Sequence, residues 1–268
     1  MTWCGPFKML RKDFFKRWYI KVCRYLFNKK YLTVRAGPLK GYRWSTGSSY
    51  DYILGSYEDP ETIKTFCSWL KPDNIFYDLG GNVGFYALIA NRFITTGKIY
   101  SFEPIPFVRA IFEKHIELNK NYIHPDNIRI LSFAISDNAK EIAFSNEISQ
   151  RDGNTYIKSA ENFSNAQHHV MVKCFSIDEL LLQGYAAPDI IKIDVEGAEL
   201  DVLHGAIDTL KQYKPHILLA THDCHLPGVK DQCVALLQQL GYTVKHTGYY
   251  HKPPYGLDDY IAVHQTKL

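Results

Sequence analysis

The sequence predicts an α/β protein: a doubly wound, seven-stranded, mostly parallel sheet, preceded by an N-terminal helical arm and a β-hairpin. Three observations carry that expectation. From about residue 75 onward, short apolar runs alternate with longer stretches whose apolar residues recur at helical spacing. A Gly-rich turn joins the first of those runs to its helix, in Ile75-Phe76-Tyr77-Asp78-Leu79-Gly80-Gly81-Asn82-Val83-Gly84-Phe85. The last two strands follow one another with no helix between them, as an antiparallel closing strand requires.

In chain order, residues 1–48 form a basic lead-in and residues 49–268 the main domain. The net charge of +3 conceals an asymmetry, because residues 1–48 hold twelve Lys/Arg against a single Asp. Much of that charge lies on one predicted amphipathic helix, about Lys8 to Asn28. Phe14, Trp18, Val22 and Tyr25 fall on one half of its wheel, and Lys12, Lys16, Lys21 and Arg24 on the other. Such a helix either docks its aromatic face on the main domain or lies on an anionic membrane surface. Polyanion binding also needs positive charge, but no nucleic-acid recognition motif accompanies it. Thr33 to Trp44 reads as a β-hairpin entry with turns at Gly37-Pro38 and Gly41, and Asp59-Pro60-Glu61 as a helix start.

The main sheet is expected to have strands near 75–79, 98–102, 128–134, 189–193, 216–221, 242–247 and 259–264. Helices are expected near 83–93, 106–120, 176–183, 197–212 and 227–240. Ser176 with Glu179 makes a capping box, and Gly241 stands where a helix ends. The polar stretch Ser145 to His169 reads as an insertion between two hairpin strands, 141–145 and 170–175.

The glycine turn suggests a nucleoside cofactor. A dinucleotide fingerprint needs G-x-G-x-x-G, yet from Gly80 this chain offers Asn82 and Phe85 in place of the later glycines. The pattern present is Asp78-x-Gly80-x-Asn82-x-Gly84, and Asn is the commonest non-glycine visitor to positive φ. One βα unit later, Lys98-Ile99-Tyr100-Ser101-Phe102 ends at Glu103, where an acid can accept hydrogen bonds from ribose hydroxyls. A nicotinamide enzyme uses the same acid, so Glu103 supports a nucleoside without choosing between cofactors. A third segment, Asp189-Ile190-Ile191-Lys192-Ile193-Asp194-Val195-Glu196-Gly197-Ala198-Glu199, delivers two more carboxylates to the end of a buried strand.

Taken together, Y-D-L-G-G-N-V-G-F-Y, S-F-E-P and I-K-I-D-V-E-G-A-E closely resemble the FkbM family of S-adenosylmethionine-dependent methyltransferases. Gly37-Pro38-Leu39-Lys40-Gly41, Gly55-Ser56-Tyr57-Glu58 and Asp258-Asp259-Tyr260-Ile261-Ala262 extend the likeness from about residue 35 to the C-terminus. The resemblance implies a class I, Rossmann-like methyltransferase fold with S-adenosylmethionine as cofactor. It places Asp78, Gly80, Asn82 and Gly84 at the amino-acid and ribose parts of the cofactor, and Glu103 at the ribose hydroxyls. The adenine is expected near Phe133, Ala134 and Ile135, and Glu58 near the methionine end. The reaction implied is O-methylation of a hydroxyl on a sugar, glycolipid, polysaccharide or secondary metabolite.

An alcohol acceptor must lose a proton as it attacks, so a base or a metal is expected at the carboxyl ends of the strands. Asp194, Glu196 and His222 are the candidates for catalysis, His222 coming from Thr221-His222-Asp223-Cys224-His225. Asp194 is alternatively a helix cap, and His222 a hydrogen-bonded strand-end residue. Asp194, Asp223 and the histidines are an alternative ligand set for a divalent cation, which no tight spacing favours. Lys192 reads as edge or pocket packing.

No apolar run approaches the ~18 residues of a membrane span, and no secretory leader is evident. Six widely spaced cysteines read as free thiols of a reducing compartment. The expectation is a cytoplasmic protein, with the basic arm offering peripheral contact at the inner face of a membrane. Two other classes stay open: a nicotinamide oxidoreductase, and a membrane-associated nucleoside-binding protein without catalysis.

Overall fold

The computed structural model describes residues 30–48, 50–55, 60–145, 169–223, 225–250 and 257–267, with Trp18, Val22 and Tyr25. Those three lead-in residues are helical, and Trp18 and Tyr25 are exposed. The rest of the predicted arm, Glu58 and the 145–169 insertion apart from its end strands lie outside the described residues. Among the described residues no helix is long and apolar enough to cross a membrane. Cys67, Cys174 and Cys233 are free thiols, as expected.

The central sheet contains β3 (Ile75–Leu79), β4 (Lys98–Phe102), β5 (Ile128–Leu131), β9 (Ile190–Ile193), β10 (His216–His222), β11 (Tyr242–Tyr250) and β12 (Leu257–His264), ordered β11-β12-β10-β9-β3-β4-β5. Pairings from β5 across to β10 are parallel, while β12 runs against both its neighbours. This is the seven-stranded, doubly wound sheet that the sequence predicts. From β3 the chain moves outward to β4 and β5, then returns to lay β9 on the other side of β3. In open α/β sheets, ligands bind in the crevice at such a reversal, here beyond the carboxyl ends of β3 and β9.

Alternation along each strand divides the apolar residues between two cores. Phe76, Ile99, Ile190, Leu218 and Ile261 face one core, shared with the helices Tyr50–Leu54 (α1), Pro60–Trp69 (α2) and Phe85–Ala90 (α3). Tyr77, Ile191, Ile193, Ile217 and Leu219 face the other, shared with Val202, Leu210 and Leu237. Burying a side chain such as Phe76, which is fully covered, contributes about 1.5–3 kcal/mol. Covering both faces explains why these strands read as continuous apolar runs.

At three places the boundaries differ from expectation for a reason visible in the packing. The third strand ends at Leu131, and Ala134–Ile135 (β6) joins a second sheet with β8 (His169–Phe175) and β7 (Lys140–Ser145). The helix expected over 197–212 is two short helices, Glu199–His204 (α6) and Ile207–Gln212 (α7). At the break, a Cβ on Gly205 would lie 2.2 Å from the Ser136 carbonyl oxygen, and Asp178 donates its backbone N–H to the Gly205 carbonyl at 3.0 Å. The first helix starts only at Phe85, because Gly84 caps it in the left-handed region at φ 92°. The capping box at Ser176 and Glu179 is present, and Gly241 closes the Val229–Gln239 helix (α8) at φ 85°.

The hairpin of β1 (Tyr31–Thr33) and β2 (Arg43–Ser45) is antiparallel, as expected. It packs into the main core through Val34, Leu39, Tyr42 and Trp44. The helix Pro106–Asn119 (α4) grips β2 with two polar side chains. Asn119 accepts from the Arg43 N–H at 2.7 Å and donates to its carbonyl at 2.9 Å. His115 accepts from the Ser45 N–H at 2.9 Å, contacts the Val83 carbonyl through Nδ1 at 2.9 Å, and stacks on Trp44 at 3.9 Å. Only a neutral ring protonated at Nδ1 satisfies both bonds. Burial lowers the His115 pKa to about 4.

Candidate functional site

The turn after β3 is built by close contacts within the chain. Gly80 and Gly81 both donate to the Phe102 carbonyl, at 3.1 and 3.0 Å. A Cβ on Gly80 would stand 1.9 Å from the Asp194 carbonyl oxygen, and one on Gly84 would stand 2.2 Å from the Phe112 ring. These glycines let β3 meet β9 and let the turn meet α4. Asn82 adopts φ 46°, the left-handed conformation anticipated for it.

Glu103, at the end of β4, is held against that turn. One carboxylate oxygen accepts from the Asn82 N–H at 3.0 Å and the other from the Ile105 N–H at 2.9 Å. Burial lifts its pKa to about 7, although both amides, Arg109 and Lys192 oppose the rise. Each oxygen retains a lone pair for a further donor.

A polar row crosses the apolar sheet beside the crevice. Ser101, Asp78 and Lys192 occupy one register line on β4, β3 and β9. Ser101 donates to Asp78 Oδ2 at 3.0 Å. Asp78 is fully buried, and among the described residues its Oδ1 has no hydrogen-bond partner. Lys192 Nζ lies 3.9 Å from that oxygen, 3.0 Å from Asp194 Oδ2 and 3.1 Å from the Gly80 carbonyl to which it donates. Its ammonium also sits over the Tyr86 ring at 5.2 Å. Burial raises the Asp78 pKa; the opposing pull of Lys192 and Ser101 is smaller. Burial would raise the Asp194 pKa too, but Lys192 and His222 outweigh it and hold that carboxyl below its ordinary value. Lys192 therefore does more than pack: it is the counter-ion between two carboxylates.

The second half of the crevice gathers the three catalytic candidates. Glu196 turns at φ 55° and Gly197 at φ 106°, so the chain after β9 doubles back toward the end of β10. His222 Nε2 lies 3.3 Å from Glu196 Oε2 and 3.6 Å from Asp194 Oδ1. Its Nδ1 meets Glu199 Oε1 at 2.6 Å, and Glu199 is fully buried. His225 Nε2 approaches Glu196 Oε2 at 3.2 Å. Burial alone would lower the His222 pKa, but Glu199, Asp194 and Glu196 overcome it and raise it to about 9. A free His222 is thus an imidazolium at neutral pH and donates rather than accepts protons. Ligand atoms of Asp194, Glu196 and His222 all lie within 4.8 Å of one another.

Asp78, Gly80, Asn82, Gly84 and Glu103 thus gather at the ends of β3 and β4, and Asp194, Glu196 and His222 at the ends of β9 and β10. Ala134 is half-buried on β6, in the small sheet rather than the central one. Asp194 does not cap the following helix, whose N-cap is Ala198 with no side-chain bond. Asp223 stands apart from the cluster; it accepts from the Lys230 N–H at 2.9 Å, at the start of α8. Ser101 and Glu199 join the site without having been predicted there, and Lys192, read as edge or pocket packing, joins it as a counter-ion. Lys192 had left a signal, since a charge in a buried strand needs a partner. Glu199 had left none, because it reads as an ordinary acid in the first turn of a helix.

The sheet order, with its reversed β12 and a glycine turn at the switch point, defines a class I methyltransferase fold. The model of the methyltransferase FkbM domain matches residues 78–249, and the chain belongs to that family. The hexuronic acid methyltransferase AglP of Haloferax volcanii is 27% identical over 154 residues, covering 57% of this chain and 58% of AglP. Methyltransferase sdnD of Sordaria araneosa is 24% identical over 201 residues, covering 65% of this chain and 75% of that protein. The chain therefore matches somewhat over half of AglP's length and three quarters of sdnD's. Among solved structures, a methyltransferase FkbM from Methylobacillus flagellatus KT aligns with a TM-score of 0.48 and 14% identity, over 72% of this chain and 44% of that one.

Proposed function

We propose that this chain is an S-adenosylmethionine-dependent O-methyltransferase acting on a hydroxyl of a sugar or sugar-like acceptor. The observation that carries the reading is Asp78 Oδ1, a buried carboxylate oxygen without a hydrogen-bond partner among the described residues, at the switch point beside Glu103. A ligand bearing both a cationic amine and a ribose diol satisfies the two carboxylates at once. Asp78 would take the amine, and Glu103 the hydroxyls through its remaining lone pairs. Bound S-adenosylmethionine supplies a methyl group on a positively charged sulfur, activated toward in-line displacement.

The chain's own part is positioning and proton removal. A shallow depression adjoins Lys192 and Asp194 and is lined also by Thr62, Tyr86, Asp259 and Tyr260. Its mixture of hydroxyl, aromatic and carboxylate groups suits a polyhydroxylated acceptor. An alcohol oxygen that gains a methyl group becomes a strong acid, so a carboxylate of low basicity suffices to remove its proton. Asp194, kept ionised by Lys192 and His222, takes that proton. The sugar preference is supported by the hexuronic acid named for AglP.

The test is methyl transfer from methyl-labelled S-adenosylmethionine to a panel of glycans with and without uronic acids. Label on an acceptor oxygen, released as a methyl ether on hydrolysis, is the expected result. A folded protein that shows no heat of S-adenosylmethionine binding would overturn the proposal.

A further inference from the structure

The geometry points to a divalent-cation site formed by Asp194, Glu196 and His222, with Glu199 as the residue that orients the imidazole. Glu199 fixes the ring from behind. Its Oε1 meets His222 Nδ1 at 2.6 Å and also accepts the Gly197 N–H at 2.9 Å, so the Nδ1 proton is committed to it. Nε2 is thereby turned toward two carboxylate oxygens, at 3.3 and 3.6 Å. Something positive, a proton or a cation, must lie between Nε2 and those two anionic oxygens.

The spacing favours an ion over a shared proton. N–H···O bonds are shortest and strongest at about 2.7–3.2 Å, below both distances. A cation bonded to nitrogen and oxygen at about 2.0–2.2 Å separates adjacent ligands by roughly 3.0–3.5 Å, the octahedral and tetrahedral edges that follow from those bond lengths. The observed separations match that range within a tenth of an ångström or so. A histidine whose far nitrogen is held by a buried carboxylate is the arrangement by which proteins fix metal-binding tautomers. Three protein ligands leave positions open toward the crevice, with the Asp194 and Glu196 side chains 30% and 20% exposed. Mixed carboxylate and imidazole donors suit Mn²⁺ and neighbouring divalent ions.

Cation binding stands on this geometry by itself. The role we assign it, acidifying the acceptor's hydroxyl beside Asp194, rests on the methyl-transfer reading.

The test uses the full chain stripped of metal and titrated with Mn²⁺, following loss of the free-ion electron paramagnetic resonance signal. One ion should bind per chain. Affinity should fall at least tenfold in Glu196→Gln and Asp194→Asn, and tenfold to a hundredfold in Glu199→Gln. Glu117→Gln, at an exposed helix position, should bind as the parent does. Binding of S-adenosylmethionine measured in chelator serves as the check on folding. If Asp194→Asn fails that check, Glu196→Gln decides. No Mn²⁺ binding at millimolar ion, or equal affinity in Glu196→Gln, would overturn the site. Cofactor binding that survives in chelator leaves the methyltransferase reading standing whatever the metal result, and its loss removes that reading alone.

Discussion

Glu103 allows the cofactor assignment to be tested by counting protons. Its carboxyl sits among backbone amides in a nearly closed pocket, and its pKa is raised from 4.5 to about 7. Because the folded pKa exceeds the unfolded one, the stability this group contributes is full below about pH 4.5 and is lost as pH rises through 7. The loss is about 3.5 kcal/mol, since each tenfold change in proton affinity is worth about 1.4 kcal/mol. Two ribose hydroxyls donating to the carboxylate favour its ionised form and draw the pKa back down. Binding must then release a proton. At pH 6.5 a group of pKa about 7 is roughly three quarters protonated, so about 0.7 proton should leave per cofactor bound. Affinity should be about tenfold weaker at pH 6 than at pH 8. Calorimetry at pH 6.5 in buffers of different ionisation heat measures the release directly. Glu103→Gln keeps the shape, weakens binding and removes the buffer dependence assigned to this residue. Heats that do not change with buffer would refute the ribose assignment, as would a proton release that persists undiminished in Glu103→Gln.

Three further outcomes follow from the packing. His115, neutral with both nitrogens engaged, has its folded pKa depressed to about 4, so its contribution is full above pH 6.5 and is lost as pH falls toward 4. The stability gap between wild type and His115→Gln in urea unfolding should shrink by about 2 kcal/mol from pH 7 to pH 4.5; a constant gap would show that the ring titrates freely. Gly80→Ala places a methyl group 1.9 Å from the Asp194 carbonyl at φ 77° and should cost about 3 kcal/mol. Gly41→Ala, at φ 96° with nothing within 4 Å, should cost only about 1–2 kcal/mol, and equal losses would sink the close-contact argument. Lys192→Met should destabilise the fold by about 3 kcal/mol at pH 7, through a buried carboxylate (Asp78) and a partly exposed one (Asp194) deprived of their counter-ion. That loss should diminish on acidification as Asp78, whose pKa burial raises, takes a proton, which unfolding followed across a range of acid pH would reveal.

The fold was legible because its signals are local. Apolar runs with turn residues at their ends marked all seven central strands, and the absence of a helix between the last two foretold the reversal of β12. Boundaries failed where a distant segment intervened. The break at Gly205 comes from Ser136 and Asp178, which no window around residue 205 contains. Ala134 was read as the end of a central strand, yet β8 captures it by pairing Ala134 with Cys174. The candidate acids stood out because each ends an apolar run beside a glycine. Their partners did not: Ser101 and Lys192 become neighbours of Asp78 only when β4 and β9 flank β3.

The charge layout of the crevice follows from that same strand order. Placing β9 beside β3 sets Asp78 and Asp194 on one face of the sheet, where the two carboxylates would repel each other. Lys192, on the same face of β9, separates them, and the Gly80 carbonyl accepts from it. A crevice without that cation would hold a sulfonium ligand too well. Methyl transfer discharges the sulfur, so an unbalanced negative pocket stabilises the ground state more than the transition state and slows the reaction. At an effective dielectric of about 20, one charge about 5 Å away is worth roughly 3 kcal/mol, enough to change a rate about a hundredfold. With Lys192 between them, the two carboxylates keep their directional hydrogen bonds while much of their combined field is cancelled. On the methyl-transfer reading, this lysine lets a buried acid bind a cationic cofactor without tethering the positive charge that the chemistry must remove.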